Sequence, residues 1–151
     1  MLALLAAVLA LAAVPARADI TGKARVIDGH TFEVAGQRIR LHGIQAPALD
    51  QTCQWPGRTI DCGTLARLAL MDLTTGTDVV CRPRERDADG NVVAVCFAGG
   101  FDIGRNMVHT GWALAYRRTS TAYVDTEEAA RKAKRGMWRG TFVKPWDWRR
   151  P

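Results

Sequence analysis

Two cysteines lie at equal distances from a short polar segment that is typical of a tight turn. Cys81 and Cys96 flank residues 87–90, Asp-Ala-Asp-Gly, symmetrically along the chain. If this turn joins two antiparallel strands, the two cysteines face each other with Cβ atoms about 4.5–5.5 Å apart, which suits a disulfide. The sequence therefore predicts a covalently linked hairpin with strands at 78–82 and 91–97.

The remaining two cysteines are then expected to pair with each other. The chain has four cysteines, which allow three pairings. Once Cys81 is assigned to Cys96, Cys53 is left with Cys62, and their disulfide closes a short loop. The alternative is a zinc site, but the spacings are not C-x-x-C and no histidine pair lies nearby in the sequence.

The N-terminus has the pattern of an export signal. Residues 1–14 are almost wholly apolar, and Ala16-Arg17-Ala18 follows as a small-x-small cleavage sequence. We interpret residues 1–18 as a signal peptide and residues 19–151 as the mature domain. The alternative is an N-terminal membrane anchor, although the apolar run is shorter than the ~20 residues that span a bilayer. The expected product is a periplasmic or secreted monomer with no transmembrane segment after cleavage, in an oxidising compartment that favours disulfides.

The order of the expected elements indicates an α+β fold. Apolar positions in residues 20–44 follow a strand-like pattern that predicts a three-stranded meander, and residues 46–61 are predicted to be a loop. A helix is predicted at 64–73. Asp102 is a candidate N-cap of a second helix that Gly111 ends.

The last third of the chain completes this prediction. Residues 112–116 are expected to be extended, and a third helix is expected at 121–135 with Tyr123, Ala130 and Ala133 facing inward. Five strands, with one helix before the fourth and two after the fifth, suit a five-stranded OB-type β-barrel with three helices.

Four segments resemble one known family. They are residues 26–31 (VIDGHT), 40–47 (RLHGIQAP), 111–116 (GWALAY) and 135–138 (RGMW). With them, the chain resembles the staphylococcal nuclease-like, or thermonuclease, family from residue 25 to residue 148. Residues 116–123 and 145–148 are similar to secreted members from Gram-negative bacteria.

The resemblance implies a calcium-dependent phosphodiesterase site whose acidic groups are missing here. The family's first carboxylate ligand falls on His30 and its second on Gln45, whereas Ala46 can still offer a backbone carbonyl. The glutamate that acts on the attacking water falls on Ala48. Because Ca²⁺ prefers carboxylate and carbonyl oxygens, we expect this site to be degenerate and to need no cofactor.

Two arginines of the family neutralise the phosphoryl group, and one of them is retained. Arg40 matches the first and is the expected anion- or phosphate-binding residue. The second belongs to a family segment of the form Asp-x-Tyr-Gly-Arg, in which the final position is Asn91 here. Four of the five side chains central to the mechanism are thus replaced.

A rebuilt site is the alternative that the residues leave open. His42 lies two residues after Arg40, so both side chains are expected to leave the same face of one strand. His30 and His42 could then act beside Arg40 as an acid–base pair, or bind a transition metal. Asp50 is a weaker candidate for a displaced base, and His109 is expected to be structural.

The charge balance favours an anionic partner. The chain has 21 Lys and Arg against 15 Asp and Glu, with the positive residues concentrated after residue 116. Such a surface attracts polyanions, here a nucleic acid or an acidic polysaccharide, although a solvated helix face and tail would look similar. We therefore expect an exported nuclease-like domain that acts by binding one of these or a periplasmic protein. The family resemblance also suggests an accessory role in exopolysaccharide production. The alternative is an active nuclease with the rebuilt site.

Overall fold

The computed structural model describes residues 17–151, so the predicted signal peptide lies outside the described residues except for its last two positions. Eleven strands and three α-helices form this part of the chain. In chain order they are β1 Ile20–Gly22, β2 Arg25–Val26, β3 Thr31–Val34, β4 Gln37–Leu41, β5 Ile44–Gln45, β6 Cys53–Trp55, β7 Arg58–Ile60, α1 Cys62–Thr74, β8 Val79–Arg86, β9 Val92–Ala98, β10 Phe101–Asp102, α2 Ile103–His109, β11 Leu114–Ala115 and α3 Val124–Lys132. Single 3₁₀ turns follow at Gly136–Arg139 and Pro145–Asp147.

One mixed sheet contains seven of the strands. Its hydrogen-bonded order is β1-β8-β9-β4-β3-β2, with β10 added beside β9, and only the β4–β9 pair is parallel. The two end strands, β1 and β2, are consecutive in the chain and separated only by Lys23 and Ala24. The predicted α+β class with three helices is confirmed. The predicted count of five strands is wrong, because the short strands β2 and β10 also pair into this sheet and bring it to seven.

Both predicted disulfides are present. Cys81 lies directly opposite Cys96 in the β8–β9 register, with Cα atoms 4.1 Å apart. Cys53 is bonded to Cys62 with Cα atoms 5.7 Å apart. Strand β8 continues four residues beyond the predicted end at 82, because a bulge between Pro83 and Glu85 accommodates the proline that cannot donate to a regular ladder.

Three further predictions differ from the structure. Residues 46–61 are not a simple loop, because β6 and β7 form a hairpin there with Cys53 opposite Ile60. Helix α3 is shorter than predicted, and Ala133 is exposed rather than inward, whereas the predicted Tyr123 and Ala130 are buried. Of residues 112–116, only 114–115 form a strand. The predicted N-cap is confirmed, since the Asp102 carboxylate accepts a hydrogen bond from the Arg105 N–H.

The core has two parts. The larger lies between the sheet and the first two helices and contains Phe32, Ile39, Leu70 and Met107, all without exposed surface. The smaller surrounds the Cys53–Cys62 disulfide, and the C-terminal aromatics pack against it: Trp138, Phe142 and Trp146. The tail is therefore part of the folded domain.

None of the helices found in residues 17–151 combines the length and the apolar character that a membrane crossing needs.

Candidate functional site

A cleft of about 240 Å³ contains Arg40. Strand β4 places Arg40 opposite Thr31 of β3 and Val93 of β9, so the backbone that carries this arginine is held on both sides. Gln45, from β5, lines the same cleft. Strand β8 and the turn that follows it contribute two carboxylates, Glu85 and Asp87, which sequence reasoning did not place in the site.

Asp87 is fixed as an anion beside Arg40. Its carboxylate accepts hydrogen bonds from the Asp89 N–H at 3.0 Å and from both the N–H and the side-chain amide of Asn91 at 2.9 Å. Burial alone would raise the pKa of Asp87, but these hydrogen bonds and the Arg40 charge outweigh it and hold the pKa below its usual value. Asp87 lies 3.9 Å from the Arg40 guanidinium, so part of the arginine's charge is already balanced.

Asn91 therefore stabilises the β8–β9 turn in this chain. The resemblance places an arginine at this position, but the Asn91 side chain is bonded to the Asp87 carboxylate. Arg40 is the single cationic side chain among the residues that line this cleft. Its role as the anion-binding residue stays a prediction.

His30 is engaged in a backbone contact. Its Nδ1 accepts a hydrogen bond from the Ala46 N–H at 3.1 Å, which ties the turn before β3 to the segment after β5. The side chain is only 12% exposed. Burial lowers the pKa of His30; the nearby Asp28 carboxylate opposes this effect and the Arg40 charge adds to it. The imidazole is thus neutral at pH 7, and Nδ1 acts as an acceptor in that form.

His42 and Ala48, like His30, are not among the residues that line the Arg40 cleft. His42 is half-buried, and its backbone N–H donates to the Ala94 carbonyl. The carbonyl of Ala48 accepts from the Gln51 N–H, and it lies so close to Gly63 that a Cβ on that glycine would be 1.8 Å from it.

Asp50 and His109, the two remaining candidates from the sequence, are not among the residues that line the Arg40 cleft. Asp50 accepts hydrogen bonds from the Arg150 guanidinium at 2.6 Å and the Trp148 indole at 3.3 Å, so it holds the C-terminal tail. His109 is exposed at the end of α2, where its carbonyl accepts from Arg135. Within residues 17–151, no group of three or more His, Cys, Asp or Glu side chains is arranged to hold a metal ion.

A second cavity, of about 450 Å³, lies beside the cleft. We call it the tail cavity, because the C-terminal tail forms part of its wall. The rest of the wall comes from β11, the start of the following turn and α3. The lining residues include Tyr116, Arg118, Glu127, Lys144 and Trp146. Tyr116 lines both the tail cavity and the Arg40 cleft. The clustering of basic and aromatic residues late in the sequence was the available signal for it, but not the way in which the segments converge.

Together these features define a class of small α+β domain in which an interior strand of a mixed sheet places a single arginine in a cleft. A family model described as staphylococcal nuclease homologue matches residues 38–140. The chain therefore belongs to the staphylococcal nuclease-like family.

Some of the similar proteins are named as nucleases and one is named as a polysaccharide biosynthesis protein. The chain is 34% identical to a micrococcal nuclease of Shigella flexneri over 98% of this chain and 91% of that protein. It is 33% identical to the succinoglycan biosynthesis protein ExoI of Rhizobium meliloti (strain 1021) over 91% of this chain and 74% of that protein. A probable staphylococcal-like nuclease, CAN2, of Oryza sativa subsp. japonica is 32% identical over 75% of this chain and 29% of the longer plant protein.

The His30 contact predicts a specific acid sensitivity. Burial lowers the pKa of His30 in the folded chain, so the unfolded chain, with a pKa of about 6.5, takes up a proton more readily. The stability from neutral His30 is complete above about pH 6.5 and decreases below it, by up to ~1.4 kcal/mol for each unit of pKa difference. We expect the free energy of unfolding, measured with urea between pH 7.5 and pH 5, to fall more steeply in the native protein than in His30→Asn. The asparagine oxygen can accept from the Ala46 N–H but takes up no proton. Superimposable pH profiles for the two proteins would contradict this role of His30.

Proposed function

We propose that this chain is an exported member of the staphylococcal nuclease-like family that binds an anionic ligand and has lost Ca²⁺-dependent phosphodiester hydrolysis. The observation that carries the proposal is the state of His30. It occupies the position of a family carboxylate ligand, is neutral, and uses Nδ1 to hold the Ala46 N–H.

The donor set does not fit Ca²⁺. This ion takes about 6–8 oxygen ligands, usually with several carboxylates among them. Gln45 offers a neutral amide, and Ala48 has no group that orients or deprotonates water. Losing a general base costs ~10²–10⁴ in rate. Losing a charge clamp of the kind that Asn91 replaces costs ~10²–10³.

The contacts do not favour the rebuilt histidine site. An acid–base pair needs two imidazoles within reach of one reacting group. His30 is committed to Ala46, and His42 lies outside the set of residues that line the Arg40 cleft. The name of the ExoI relative instead supports an accessory role in exopolysaccharide production, with an acidic polysaccharide as the anionic ligand.

The proposal also includes export of the protein and closure of the mixed sheet into a barrel. Two disulfides support an oxidising location such as the periplasm or the exterior. The adjacent end strands β1 and β2 support an OB-type barrel that closes through the Ile20–Val26 segment, since β1 pairs with β8 and β2 pairs with β3. A monomer is the expected state.

A nuclease assay on the oxidised protein, residues 19–151, tests the proposal. Hydrolysis of single-stranded DNA and RNA is measured with Ca²⁺, Mg²⁺, Zn²⁺ and chelator, with the Shigella flexneri relative measured in parallel. We expect no Ca²⁺-dependent hydrolysis and no Ca²⁺-dependent rise in melting temperature. Hydrolysis with Ca²⁺ at a rate near that of the relative would refute the proposal. Hydrolysis that needs no Ca²⁺ and is lost in both His30→Ala and His42→Ala would establish the rebuilt site instead.

A further inference from the structure

The tail cavity contains cations that have no carboxylate partner. Among its lining residues, Arg117 donates to Glu127 at 2.8 Å and Arg131 is paired with Glu128. Arg118 and Lys144 are exposed, and neither forms an ion pair within residues 17–151. The cavity therefore has two positive charges available to an anionic group.

An aromatic corner lies beside these cations. The rings of Tyr116 and Trp146 have centroids 5.5 Å apart and planes inclined by 49°, and the Lys144 ammonium lies 5.7 Å from the Trp146 ring. A planar base held between two rings needs them roughly parallel and about 7 Å apart, which is twice the contact distance of carbon atoms. Tyr116 and Trp146 contact each other at an angle instead. This angled apolar surface suits the nonplanar face of a sugar ring better than a base held between two rings.

Charge is distributed unevenly between the two neighbouring sites. The Arg40 cleft contains one arginine and two carboxylates, Glu85 and Asp87, and Asp87 is held as an anion. Four cationic and two acidic side chains line the tail cavity. Because Tyr116 lines both cavities, they are adjacent, and a chain-like ligand bound in one can extend into the other.

This distribution distinguishes two classes of polyanion. A nucleic acid carries a phosphate on every unit, so a strand that filled both sites would place charge against Glu85 and Asp87. A glycan in which only some sugars are acidic can place a carboxylate in the tail cavity and a neutral sugar in the cleft. Hydroxyl groups of that neutral sugar can donate hydrogen bonds to carboxylates.

We propose that the tail cavity binds one acidic sugar of a glycan in which charged and neutral sugars alternate. Arg118 and Lys144 contact the carboxylate, and Trp146 packs against the apolar face of the sugar ring. This inference rests on the proposed function, because it names the class of anionic ligand that the domain binds.

Binding of a hyaluronan hexasaccharide, which has one carboxylate for every two sugars, tests the proposal by calorimetry on the disulfide-bonded protein. Cellohexaose is the neutral probe, and a ten-residue oligothymidylate is the probe with a charge on every unit. We expect hyaluronan to bind more tightly than either. Its dissociation constant should rise at least about tenfold in Trp146→Ala and in the double variant Arg118→Ser/Lys144→Ser.

Arg58→Ser is the matched control. Arg58 is exposed, lies over Trp55 in the β6–β7 hairpin and does not line the tail cavity, so hyaluronan affinity should change by less than about twofold. The double variant replaces two exposed side chains and should keep the native melting temperature. It therefore decides the question even if Trp146→Ala loosens the tail.

Several results would overturn the inference. These are no binding of hyaluronan, binding that survives the double variant, or an oligothymidylate affinity that is equal or higher and depends on the same residues. The last result would assign the cavity to single-stranded nucleic acid.

Failure of this inference is separable from failure of the proposed function. A protein that neither cleaves DNA nor binds hyaluronan refutes only this inference, whereas Ca²⁺-dependent cleavage refutes the proposed function.

Discussion

Restoring the family side chains should give this domain Ca²⁺-dependent phosphodiesterase activity at least about 10³-fold above that of the native protein. The variant combines His30→Asp, Gln45→Asp, Ala48→Glu and Asn91→Arg. Arg40 is left unchanged, since it already lies in the cleft.

The native backbone favours recovery, because the scaffold at these positions is well held. Position 45 already lines the cleft, and β5 is fixed there by pairing with β11. At position 30, the substitution replaces the imidazole by a carboxylate near Asp28. The two carboxylates repel each other, and a bound divalent cation offsets this repulsion. At position 91, the backbone N–H still donates to Asp87 after the side chain is replaced.

Two measurements separate metal binding from catalysis. Ca²⁺ should raise the melting temperature of the fourfold variant but not that of the native protein, because a ligand that binds only the folded state stabilises it. The control is the threefold variant that keeps Ala48. It should show the same Ca²⁺ shift, with hydrolysis lower by ~10²–10⁴ for want of the base. If the fourfold variant shows neither a Ca²⁺ shift nor hydrolysis, the replaced side chains do not account for a loss of hydrolysis in this domain.

How far the sequence predicts the structure depends on the range of the interactions involved. The disulfide pairing was predictable because the symmetry of Cys81 and Cys96 about one turn is a local property. The β6–β7 hairpin is not predicted, because Pro56 and Gly57 by themselves indicate only a loop. They form a two-residue turn between strands whose pairing brings Cys53 opposite Ile60.

In the candidate site, too, the contacts between residues far apart in the sequence are not predicted. The family resemblance located His30, but it did not predict that Nδ1 holds the Ala46 N–H, a contact across sixteen residues. The tail cavity was not predicted, because Tyr116, Glu127 and Trp146 come from separate segments. Each has an ordinary local explanation as a strand end, a helix residue or a tail aromatic.

Glu127→Ala should destabilise the domain by about 3 kcal/mol, which lowers the melting temperature by roughly 10 °C for a domain of this size. Glu127 is 7% exposed, and its carboxylate accepts from the Ala115 N–H at 2.6 Å and the Arg117 guanidinium at 2.8 Å. Ala115 is fully buried, so the variant leaves its N–H without a partner. Thermal and urea unfolding measure the change.

The neighbouring glutamate is the matched control. Glu128 pairs with Arg131 one turn along the exposed face of α3, so Glu128→Ala should lower the melting temperature far less than Glu127→Ala does. Comparable losses in the two variants would mean that the Glu127 contact contributes no more than a surface ion pair.

The Glu127 contact should also affect the two cavities. Glu127 bonds the outer edge of β11, and β11 pairs with the strand that carries Gln45. Loss of Glu127 should therefore loosen the tail cavity and the Arg40 cleft together, which faster amide exchange at Ala115 and Gln45 in Glu127→Ala than in Glu128→Ala would reveal.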